Sequence, residues 1–146
     1  MRVTRKSRLQ IKLQNIVDTG ISVMEMLNND VEKGSRTLSE AQQTAVEVIK
    51  NMRYGEEGKD YLWINDFRPY MIMHPFRSDL DGTDLSDYAD PMGKRLFVEM
   101  VSVCRQSGHG FVEYLWQWKD NDKKIVPKIS YVKSFKQWNR RESYYI

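Results

Sequence analysis

Residues 61–75 read YLWINDFRPYMIMHP, and this stretch decides the fold. Tyr61 to Ile64 is aromatic and β-favouring, and Tyr70 to Met73 is apolar again. Asn65-Asp66 gives a turn signal between them, and Pro69 suits that turn or the very start of the second strand. Two short strands joined by a tight connection is the economical reading. Downstream, Pro75 to Asp90 is a polar, acidic loop carrying Asp79, Asp81, Asp84, Asp87 and Asp90. Sixteen residues is long for a connection inside a compact domain, and such loops are often functional lids. Asp90-Pro91 has the form of an N-cap followed by a first helical residue. Leu96, Phe97, Met100, Val101 and Cys104 then make a helical stripe closed by Gly108 and Gly110. Phe111 to Trp118 reads as a strand, Asn121-Asp122 as a turn, and Ile125 to Phe135 as another strand with Pro127 near its start.

Upstream the period changes to that of a helix. Leu9, Leu13, Ile16, Val17, Gly20, Ile21, Met24, Leu27 and Val31 form a stripe sustained over about six turns. Such a helix can pack on a sheet and still offer a seam to a partner, and Gly34 suits its stop. Ser39 is expected to open a second helix, with Gln42 completing a capping box. Its core face reads Ala41, Ala45, Val48, Ile49 and Met52, with Gly55 and Gly58 at its end. The element order predicts an α+β fold, an antiparallel β-sheet with a long N-terminal helix lying across it.

The 146 residues favour one domain. A hydrophobic fraction of 40% and a charged fraction of 29% suit a folded globular chain. No run approaches the roughly 20 apolar residues of a membrane span, and no signal peptide is visible. The one cysteine, Cys104, lies on an apolar helical face and reads as a buried structural thiol. Catalysis finds no support: His74 and His109 are the only histidines, and His109 sits in a glycine-flanked turn. No phosphate-cradling glycine pattern occurs, and the loop aspartates lack the spacing of a calcium loop. Tyr131, Phe135 and Trp138 do interleave with Lys128, Lys133, Lys136, Arg140 and Arg141, as in nucleic-acid stacking platforms. The near balance of 23 basic and 20 acidic residues argues against that use. The expectation is therefore no enzyme, no metal, no cofactor and no nucleic acid.

What stands out is a set of large amphipathic residues on strands. Alternation puts Tyr61 and Trp63 on one face, Tyr114 and Trp116 on one face of another strand, and Lys128 and Ser130 on one face of a third. Tyr131 falls on the opposite face of that strand unless a bulge intervenes. Two readings stand. The aromatics are core residues with polar tips reaching water, or they wall a pocket in which Lys128, tyrosine hydroxyls and His74 meet a carboxylate.

The chain resembles a known family over Arg53 to Phe135. The motifs, in order, are RYG, Y-x-W-I-N-D, M-x-HP, a loop L-x-G-x-D-L-S-D, D-P-x-G, G-x-G-F-V and P-K-x-S-Y-V-K. Together they are similar to the single Cache domain of bacterial chemoreceptors and sensor kinases. The resemblance implies one domain over 1–146, with helices in 7–54 and a PAS-like antiparallel sheet with its lid in 59–138. It implies an extracytoplasmic sensor of a transmembrane chemoreceptor that binds a small organic carboxylate such as acetate, propionate, pyruvate or lactate. The domain would sit in the periplasm of an inner-membrane protein, joined to the membrane only through flanking spans outside this sequence. The helical stripe would then serve a homodimer in the intact receptor. The alternatives are the sensor of a membrane histidine kinase and a non-signalling interaction domain of the same fold. Carried onto this chain, the implied site residues are Tyr61, Trp63, Met73, His74, Tyr114, Trp116, Lys128 and Tyr131, with Arg77 as a further anion contact from the lid. One departure is plain. Family members end on an apolar, glycine-containing strand, whereas residues 139–146 here read NRRESYYI, an altered or truncated last strand or an edge strand using Tyr144 and Ile146.

Overall fold

The computed structural model describes residues 4–138 and 144–145. The long helix α1 spans Arg5–Glu32 and is capped by Thr4, whose hydroxyl accepts from the Ser7 amide. Its stripe is buried at Val17, Gly20, Ile21, Met24 and Leu27. These residues pack within the chain, so little of the stripe is left for a homodimer seam. Leu9, Ile11 and Met26 are the apolar α1 residues that stay exposed. No helix among the described residues is long and apolar enough to cross a membrane.

Helix α2, Leu38–Asn51, starts earlier than the Ser39 signal suggests. Thr37 caps it, and Thr37 with Glu40 makes the reciprocal capping box expected of Ser39 and Gln42. Ala41, Ala45 and Ile49 face the core, while Val48 turns to solvent.

A small ribbon pairs β1 (Arg53–Tyr54) with β2 (Asp60–Tyr61). The main sheet is antiparallel and combines β3 (Ile64–Asp66), β4 (Met71–Met73), β5 (His109–Trp118), β6 (Asn121–Phe135) and β7 (Tyr144–Tyr145) in the order β4-β3-β7-β6-β5. Tyr144–Tyr145 is thus an inner strand rather than an edge, filling the gap between β3 and β6. The rest of the altered terminus, 139–143 and Ile146, lies outside the described residues. The hairpin β5–β6 turns at Lys119-Asp120, two residues before the expected Asn121-Asp122, with Lys119 at φ 51°. Pro127 therefore falls well inside β6, where β5 is the one strand paired with it among the described residues.

Asn65-Asp66 is not a turn either. Both residues are buried in β3, and Asp66 organises the turn that follows by accepting from the amides of Arg68 and Tyr70 and from the Arg68 guanidinium. The turn signal was correct in kind but belongs to the next residues, because an aspartate can sit before the turn it stabilises.

Asp90 likewise caps no helix. Helix α3 is Leu96–Ser107, and it ends at Gly108 with φ 80°. The Asp90 carboxylate instead accepts from the amides of Met92, Lys94 and Leu115, which ties the long loop to β5. That loop is pinned along β4 as well: Leu85 donates to the Pro69 carbonyl, Met71 to Thr83, and Gly82 to Met71.

The sheet divides two apolar layers. On one side α1 and α2 meet Leu62, Ile64, Met73, Tyr131 and Phe135. On the other, α3 and the loop meet Tyr61, Trp63, Met71, Tyr114 and Trp116. Cys104 is fully buried there, and burial pushes its thiol up to about 12.

Candidate ligand-binding site

The α3 side of the sheet encloses a cavity of about 10 Å³, room for roughly one water. Tyr61 reaches it from β2, Trp63 from the link to β3, and His74 from the end of β4. Tyr114 and Trp116 come from β5, Lys128 from β6, and Leu96 and Phe97 from the first turn of α3. Cross-strand register explains the convergence, since Tyr114 lies directly opposite Lys128.

The polar atoms form one connected set. Lys128 Nζ donates to Tyr61 Oη at 2.8 Å and stands 4.4 Å from the Tyr61 ring centroid and 5.6 Å from that of Trp63. The Phe76 amide donates to His74 Nδ1 at 3.1 Å. This leaves the ring proton on Nε2, which therefore donates to Tyr61 Oη, also at 3.1 Å. Tyr61 Oη accepts twice, so its own O–H remains to donate. Trp116 Nε1 is buried without a hydrogen-bond partner. Burial weakens the acidity of the Tyr61 phenol, against a smaller opposing pull from Trp116, whose N–H lies near the hydroxyl but outside hydrogen-bond geometry. Tyr114 Oη and Ser130 Oγ pair at 2.7 Å. Lys128, Tyr61 and Trp116 thus offer the cavity donors, the complement of a carboxylate.

Six of the nine expected residues come together here: Tyr61, Trp63, His74, Tyr114, Trp116 and Lys128. Met73 and Tyr131 do not. Both belong to the α1 layer on the opposite face, because alternation separates Met73 from His74 and Tyr131 from Lys128. Arg77 lines a neighbouring cleft with Tyr88, Asp90 and Gln117, and its guanidinium lies 5.6 Å from the Trp116 ring centroid. Asp79 holds that guanidinium through two 3.0 Å hydrogen bonds. Leu96 and Phe97 were missed as lining residues, since a helical stripe gives the same signal for a core and for a cavity wall. Among the described residues no cluster of three or more His, Cys, Asp or Glu could hold a metal ion.

The family model for Single Cache domain 2 matches residues 6–140. This chain belongs to that family. The methyl-accepting chemotaxis protein McpP of Pseudomonas putida is 39% identical over 127 residues, covering 87% of this chain and 23% of that receptor. A solved periplasmic sensor domain of a chemotaxis protein superposes with a TM-score of 0.89 at 36% identity, covering 97% of this chain and 94% of that one. A second, described as showing the structural basis for carboxylic acid recognition by a Cache chemosensory domain, gives 0.86 at 35%, covering 97% and 95%. The PAS-like α+β fold is that of Cache sensor domains, which bind ligands and are not catalytic.

His74 gives this Cache domain a pH signature. Burial, then the nearby charges of Lys128 and Arg77, lower its pKa from 6.5 to about 3, with Asp79 opposing and Arg53 adding to the shift. Between those two values the unfolded state binds more protons than the folded one. The contribution to stability is therefore complete above pH 6.5 and is lost as pH falls toward 3. The slope reaches roughly 1.4 kcal/mol per pH unit. Denaturant unfolding across this window should show it, and His74→Gln should flatten it. Equal slopes in the two proteins would remove His74 as the source.

Proposed function

We propose that this Cache domain is the extracytoplasmic sensor of a transmembrane chemoreceptor and binds a small organic acid as its carboxylate. The observation that carries the reading is the donor set: Lys128, the Tyr61 hydroxyl and the Trp116 N–H around one small aromatic cavity. The likeness to a chemosensory domain described for carboxylic acid recognition supports it. In this reading Lys128 pairs with the carboxylate, Tyr61 donates beside it, and His74 fixes the Tyr61 hydroxyl. An acid exceeds the volume of one water, so occupancy requires the walls to give. Occupancy then favours one arrangement of the sheet over another, and the layer on the far side of β6 contains α1. Coupling of roughly 1–3 kcal/mol is enough for a switch of this kind. The intact receptor is a homodimer in this proposal, with Ile11 and Met26 on the exposed side of α1.

Thermal unfolding against acetate, propionate, pyruvate and lactate tests the reading. At saturation the best acid should raise the midpoint by several degrees, while the matching amides, which lack the charge, should not. A panel in which no acid moves the midpoint would overturn it.

A further inference from the structure

We propose that Leu96 fixes the length of carbon chain that the cavity accepts. The inference rests on the carboxylate reading above and adds a specificity residue to it. If the carboxylate meets Lys128, Tyr61 and the Trp116 N–H, the chain behind it lies against the apolar wall, where Leu96 and Phe97 of α3 stand beside the rings of Trp63 and Tyr114. Phe97 is held on two sides, with Tyr88 at 5.5 Å and Trp116 at 5.9 Å in edge-to-face contacts. Its ring cannot withdraw without unseating both. Leu96 has no ring to be clamped in this way and is the one aliphatic side chain in the lining. It is 1% exposed, so any volume removed from it opens inward rather than to solvent. As the first residue of α3, it is also fixed in place by the helix that follows.

Hydrophobic pockets discriminate by single methylenes, about 10- to 200-fold for each. Titration calorimetry with the straight-chain acids from acetate to pentanoate, on the parent, Leu96→Val, Leu96→Ala and Leu96→Met, reads this directly. The parent should favour the shortest members. Leu96→Ala should move the optimum to chains one or two carbons longer and change the ratio between short and long acids by about tenfold or more. Leu96→Val should fall between them, and Leu96→Met, which keeps the volume, should retain the parent order. If Leu96→Ala does not fold, the single methylene removed in Leu96→Val still carries the comparison. An unchanged chain-length order in variants that bind would overturn the role of Leu96 and leave the carboxylate reading standing. A parent that binds no member of the series would overturn both.

Discussion

Replacing Lys128 with methionine should weaken binding of the preferred acid ten- to a hundredfold, about 1.5–3 kcal/mol, while the domain stays folded. Methionine keeps much of the stem that packs by Tyr61 and Trp63 and deletes only the charge. Tyr61 Oη does not become an orphan, because His74 Nε2 still donates to it. The unfolding midpoint should therefore move little, and calorimetry on the folded variant isolates the lost interaction. Arg77→Met is the comparison. Its guanidinium is already matched by Asp79 and stands outside the cavity, so its loss should change affinity by less than about threefold. Equal affinities for the parent and Lys128→Met would move the anchor elsewhere, Arg77 first.

Asp90→Ala should lower stability by about 3 kcal/mol, or roughly 6–12 °C in midpoint. This exceeds the value of about 1 kcal/mol appropriate to a helix cap, because the carboxylate gathers three amides rather than one. The amides of Met92 and Lys94 lie in an exposed turn that water can reach, whereas the Leu115 amide sits within the β5 edge. Asn at this position keeps an acceptor for the turn but presents an N–H to Leu115, so it should fall between parent and alanine. Hydrogen bonding, first from Leu115, holds the Asp90 pKa below the usual carboxylate range. Its contribution is therefore present above that range and is lost as pH falls through the lowered value. Chemical denaturation of the parent and Asp90→Ala at neutral pH reads the difference. A stability loss below about 1 kcal/mol would show that the loop is held by its backbone contacts to β4 instead.

Helices and strands that rest on periodicity were legible in the sequence. The stripes of α1 and α3 and the alternation in β5 and β6 follow from side chains that must reach a common core. Aspartates were harder to place. Asp66 and Asp90 carry turn and cap signals of the same type, and both in fact organise the turn after themselves from within or beside a strand. Composition alone does not tell a cap from such a carboxylate, because the deciding quantity is which amides lie in reach. At the site, parity along β6 already separated Tyr131 from Lys128, and the same parity separates Met73 from His74. The place of Arg77 was not legible, since its pairing with Asp79 depends on the local turn Ser78–Leu80. Nor was the small size of the cavity, which depends on Leu96 and Phe97 crossing from α3.

The surplus of donors facing the cavity bears on what such a sensor would measure. A neutral, undissociated acid would bring a further proton to groups that already hold protons, so only the dissociated form fits. His74 stays uncharged down to about 3, so it does not alter the charge of the site across the neutral range. The pH dependence of the response would then come mainly from the metabolite. The domain would report the dissociated concentration rather than the total, so its reading falls as acidity rises at constant total acid. Two environments with the same total acid would register as different stimuli only near the carboxyl pKa of about 4, and there the less acidic one would read as richer.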